Sequence, residues 1–98
     1  LVVTKIYLPL DAKTAEIEKI ALDAIYSSPY VFLKKPQAVI FSQHLGERPV
    51  LLMKVKAYVL DHRFEFKFSS DITKKIQNQM IKKGLELEKN EVEISPKR

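Results

Sequence analysis

The chain has no cysteine, only two glycines in 98 residues, and no long apolar run. Without cysteine there is neither a disulfide scaffold nor a thiolate metal site, which is compatible with a cytoplasmic setting. Gly46 and Gly84 are too few for a phosphate-cradling loop of the usual kind. A bilayer span needs roughly 18 to 20 consecutive apolar residues, and nothing here approaches that, so the segment reads as soluble. The opening Leu1 brings neither Met nor a charged leader segment, which suits a fragment of a longer chain.

What is present fits one small domain. Hydrophobic residues make up 46% and charged residues 30%, enough for a single core with little room for a deep catalytic cavity. Seventeen basic residues against twelve acidic ones give a net charge of +5. That balance permits contact with nucleic acid, phosphate or anionic lipid but selects none of them.

Val2 to Leu8 is β-branched and apolar, with Thr4, Ile6 and Leu8 on one face and Val3, Lys5 and Tyr7 on the other. Asp11 and Thr14 are acceptable helix starts. Ile17, Ile20, Ala21, Ala24 and Ile25 then form one helical stripe, which Pro29 closes. Ala38 to Leu45 and Val50 to Leu60 predict an antiparallel hairpin around Gly46-Glu47-Arg48-Pro49. In the second strand Leu51, Met53, Val55, Ala57 and Val59 point one way, and Lys54, Lys56 and Tyr58 the other. Phe64, Phe68, Ile72, Ile76 and Met80 form an i+4 row, so a second helix is expected from Phe64 to Lys83, stopped by Gly84. Leu85 to Leu87 is expected as a short last strand.

The resulting order is β-α-β-β-α-β. It predicts an α+β, ferredoxin-like fold with two helices on one face of a four-stranded antiparallel sheet. The domain is expected over residues 1–87, with 88–98 a charged tail. Ile20, Ile25, Val55, Ile72 and Ile76 are expected in the core, and Phe66, off the helical row, at the surface.

Chemistry is thinly represented. His62 and Glu65 are two conceivable metal ligands without a third, so no metal is expected. No serine sits in a nucleophile-elbow pattern, so neither catalysis nor a cofactor is expected. RNA-recognition domains share this topology, but their third strand carries a glycine and several aromatics. Here that strand offers Tyr58 alone, with Tyr7 as a possible partner beside Lys5, Lys54 and Lys56 on one sheet face.

The segment from Ser28 to Leu60 carries a family resemblance. Pro29, Val31-Phe32-Leu33, Pro36, Leu45-Gly46 and the long strand after Pro49 fall in order. Ile72, Ile76, Met80 and Gly84-Leu85-Glu86-Leu87 follow them. This series resembles the C-terminal cytoplasmic domain of MscS-type small-conductance mechanosensitive channels, over roughly Val2 to Leu87.

The resemblance implies a subunit of a homo-heptamer in the cell membrane, with this domain on the cytoplasmic side. Upstream β-rich and transmembrane domains would complete the chain, and the channel would release ions and small osmolytes on hypo-osmotic shock. This domain would serve assembly and solute filtering in a hollow vestibule, with no nucleic-acid partner. Lys5, Lys54 and Lys56 would then set the electrostatics of its wall. Family members often follow the Gly-Leu segment with a proline-containing strand, where this chain has Glu88-Lys89-Asn90-Glu91. The alternatives on the same fold are a small-molecule-binding regulatory domain and an RNA-binding module.

Overall fold

The computed structural model describes residues 1–85 with their side chains and residues 92–96 as a backbone strand. The elements are β1 (Val2–Leu8), α1 (Thr14–Tyr26), β2 (Ala38–Leu45), β3 (Pro49–Ala57), α2 (Glu65–Lys82) and β4 (Val92–Pro96). A 3-10 turn at His62–Phe64 precedes α2. The fold is mixed α+β: β1, β2 and β3 form an antiparallel sheet, and the two helices pack on one of its faces. β4 runs antiparallel along the remaining edge of β1.

Strand alternation sorts the core. Val2, Thr4, Ile6 and Leu8 of β1 pair with Ala57, Val55, Met53 and Leu51 of β3 and face the helices. From α1 come Ile17, Ile20, Ala21, Ala24 and Ile25, and from α2 Phe68, Ile72, Ile76 and Met80. Ile20, Ile25, Val55, Ile72 and Ile76 are therefore all buried, as the periodicity predicts. A polar bond crosses this core: the hydroxyls of Thr4 and Ser69 lie 3.0 Å apart, joining β1 to α2. A buried hydroxyl needs such a partner, and no periodicity announces it.

The helix ends follow local chemistry. Past α1, Ser27 N–H donates to Asp23 O at 3.0 Å and Ser28 N–H to Ile25 O at 3.1 Å, and then Pro29 turns the chain away. At the other helix, Gly84 adopts φ +69°, a left-handed conformation that side chains resist. Leu85 N–H donates to Met80 O at 2.8 Å and Gly84 N–H to Ile81 O at 3.1 Å. This paired arrangement is a Schellman stop, and Leu85 packs back on the core.

Several expectations need correction. Leu85 belongs to this helix stop and not to a strand; residues 86 and 87 of the expected strand lie outside the described residues. The edge of β1 is paired by Val92–Pro96, in the region expected to be a tail. The register pairs Val92 with Ile6 and Ile94 with Thr4. The charged run 88–91 masked that short apolar signal. β3 also ends at Ala57, short of Leu60. Beyond it the chain makes a single bridge, Val31 to Val59, with Phe32 N–H donating to Tyr58 O at 2.8 Å and Leu60 N–H to Tyr30 O at 2.9 Å. Phe64 lies before α2 and only half-buried, its ring 5.3 Å from that of Tyr30. Phe66 is 64% exposed, as its position off the row implies.

Candidate functional site on the open face of the sheet

The sheet face turned away from the helices carries the lysines singled out in the sequence. β1 contributes Val3, Lys5 and Tyr7, and β3 contributes Val50, Leu52, Lys54 and Lys56. β2 adds Ala38, Ile40, Ser42 and His44. The register sets Lys54 between Ile40 and Lys5, and Lys56 between Ala38 and Val3. Lys5, Lys54 and Lys56 thus occupy two adjacent cross-strand rows. Directly opposed residues have Cβ atoms about 5 Å apart, so the Lys5–Lys54 pairing opposes two like charges at close range.

One feature moderates that repulsion. All three lysines are half-buried, since their alkyl stems lie along the sheet while the charged heads reach water. On the other side of Lys5 the register places Glu93 of β4. Sequence reasoning missed Glu93 because it ended the sheet before that strand. The alternation Val92-Glu93-Ile94 was the signal available.

One corner of this face is apolar. Tyr7, Val50 and Leu52 form a small buried cluster, with Tyr7 only 6% exposed. The Tyr7 ring meets His44 edge-on, centroids 5.1 Å apart at 70°. Tyr58, just beyond β3, is covered by the Lys35 ammonium, 4.8 Å from the ring centre. Tyr7 therefore offers no open ring face of the kind a stacked base requires, and Lys35 occupies one face of Tyr58. Lys35 comes from the proline-bounded loop, brought near by the Val31–Val59 bridge, and sequence reasoning did not connect it to this strand.

The other candidates fall elsewhere. His62 is exposed, its Nδ1 3.6 Å from Asp61 Oδ1, whereas Glu65 is buried. Among the described residues, no group of three or more His, Cys, Asp or Glu side chains is placed to hold a metal ion. Ser69 is engaged with Thr4, and the Ser28 hydroxyl accepts from Tyr30 N–H at 3.2 Å. Asp61 caps the turn before α2: its Oδ1 accepts from Arg63 N–H at 2.9 Å, while the guanidinium reaches Oδ2 at 2.9 Å. Those bonds, the side-chain ones foremost, hold its carboxyl down to about 2.

What the open face supplies is a cationic, partly apolar surface suited to attracting anions. No described helix is long and apolar enough to cross a membrane. No family model matches the chain, and no curated protein matches it either.

Proposed function

We propose that this chain is the C-terminal cytoplasmic α/β domain of an MscS-like mechanosensitive channel subunit, built as a ferredoxin-like βαββαβ unit with β4 as its fourth strand. The observation that carries the reading is the strand order β2-β3-β1-β4 with both helices on one face. It gives the split βαβ arrangement that the resemblance implies. The proline-bounded segment between Pro29 and Pro36 supports it too, being fastened to the end of the long strand by the Val31–Val59 bridge. β4 ends at Pro96, so a proline-containing strand follows Gly84.

In this reading the domain performs no chemistry. It helps assemble a homo-heptameric vestibule on the cytoplasmic side of the cell membrane, below upstream β-rich and transmembrane domains. Ions and small osmolytes pass through it during hypo-osmotic shock. Lys5, Lys54 and Lys56 raise the local anion concentration along the wall, over a range of about 8 Å at physiological ionic strength. An RNA-binding module is less well supported, because Tyr7 is buried and Tyr58 is covered.

The test uses the full-length protein in cells lacking their own mechanosensitive channels. It should restore survival on osmotic down-shock and give tension-gated current in excised patches. Changing Lys5, Lys54 and Lys56 together to Glu should move the reversal potential toward cation preference at low salt, with the tension threshold little changed. A membrane-inserted protein that gives no tension-gated current overturns the reading.

A further inference from the structure

We infer that the furrow between α1 and α2 is a binding site for a small molecule carrying two or more linked phosphate groups. The furrow lies on the outer side of the helix pair, away from the open sheet face. Its volume of about 480 Å³ falls within the usual range for small-molecule sites. Lys19 and Asp23 of α1 and Ser27 just past its end lie at successive four-residue steps, and α2 contributes Lys75, Asn78, Gln79 and Lys82, with Lys83 just past its end. The nearly buried Ile20 and Ala24 form the floor. Four ammonium groups thus line one furrow against a single lining carboxylate, that of Asp23.

These cations are not equivalent. The Lys75 ammonium donates to Ser27 O and Oγ, each at 3.2 Å, and pairs with Asp71 at 3.0 Å. Those two bonds and the ion pair make it a fixed charge at one end, anchored by the C-terminus of α1. Lys83 lies 3.9 Å from Glu16 at the other end. Lys19 and Lys82 have neither an ion pair nor a hydrogen bond to any described residue, and the same holds for the side-chain amides of Asn78 and Gln79. The furrow therefore offers unused donors of two kinds: mobile ammonium charges and neutral amide N–H groups.

That donor set selects the ligand class. Lysine ammoniums bind phosphate oxygens as point charges, and amides can complete the remaining acceptor positions. Lys75 and Lys82 are seven positions apart, which is roughly 10 Å along a helix. That length suits linked phosphates better than one isolated ion. A carboxylated floor would repel such a ligand, but Ile20 and Ala24 carry no charge.

The experiment titrates the 98-residue chain with inorganic triphosphate, and separately with ATP, following backbone amide shifts by NMR. Saturable shifts should cluster on residues 19–27 and 75–83. The double variant Lys19→Gln/Lys82→Gln should bind at least about tenfold more weakly, since two charge-assisted bonds are lost. A matched variant outside both the furrow and the open face, Lys34→Gln/Lys67→Gln, should bind as the parent does. Equal affinity for the two ligands would identify the phosphate chain as the recognised group, and tighter ATP binding would add the nucleoside. Absence of saturable shifts at about 1 mM ligand overturns the site. Equal weakening in both double variants also overturns it, because the attraction would then be a general effect of net charge.

Discussion

The two faces of the β1–β3 pair are made by the same two strands and obey different physics. On the helix-covered face Val2, Thr4, Ile6 and Leu8 are fully buried, and they meet Ala57, Val55 and Met53 in equally dry surroundings. On the open face the intervening positions bring Lys5 against Lys54 and leave an apolar corner around Tyr7. On the covered face the Thr4 hydroxyl finds its partner in Ser69, which offsets the cost of burying it. The open face tolerates two opposed lysines because each head reaches water while its stem covers the sheet. Burial thus decides stability on one side, and charge arrangement decides behaviour on the other.

The sharpest way to break this comparison is to delete a covered side chain. Phe68→Ala should cost about 3–5 kcal/mol in urea unfolding, because the ring is wholly buried and leaves a cavity. Phe66→Ala, two residues away and exposed, should stay within about 0.5 kcal/mol of the parent. Equal losses would mean that the face assignment of α2 is wrong.

A polar substitution in the covered layer should have a smaller effect with a diagnostic pattern. Thr4→Val leaves the Ser69 hydroxyl buried without its partner and should cost about 1–3 kcal/mol. Adding Ser69→Ala should recover much of that loss, so a double-mutant cycle should show strong coupling. Purely additive losses would show that the hydroxyl pair contributes nothing of its own.

On the open face the expected sign reverses. Lys54→Glu replaces a like-charge pairing across from Lys5 with an opposite-charge one. It should raise stability by about 0.2–1 kcal/mol, and added salt should shrink the gain. A loss as large as that of Phe68→Ala would show that the face is not open.

The smallest effect is expected at Asp61, outside both faces. Its carboxyl is held down from 3.8 to about 2, chiefly by the Arg63 side chain and then by the Arg63 backbone N–H. A depressed carboxylate stabilises the folded state fully above pH 3.8, and that contribution disappears as pH falls through about 2. Asp61→Asn should remove this component of the acid unfolding curve, and direct NMR titration of the carboxyl should show the depression. A carboxyl titrating at its ordinary value would mean that Arg63 does not hold it.

Much of this arrangement was legible because period and environment agree. The two-residue period separated Thr4, Ile6 and Leu8 from Val3, Lys5 and Tyr7, and the four-residue row picked out Phe68, Ile72, Ile76 and Met80. Gly84 marked the end of α2 because a left-handed turn favours a residue without Cβ. The placement of β4 was not legible. Five residues behind a charged run carry little local signal, and their pairing is decided by the vacant edge of β1. Lys5, Lys54 and Lys56 could be assigned to one face by alternation, but Glu93 and Lys35 could not be added to their surroundings.

The sequence by itself determined which residues would be driven from water and at what spacing, since helix and strand periods are properties of the local chain. Only the tertiary structure decided which of those elements would meet. Thr4 found Ser69 across 65 positions, Tyr58 received Lys35, and Lys19 came to line one furrow with Lys82. Such meetings depend on register, on the antiparallel order of the strands and on how two helices settle on one face. Those are long-range choices, fixed by the combined burial of many side chains and written in no single segment.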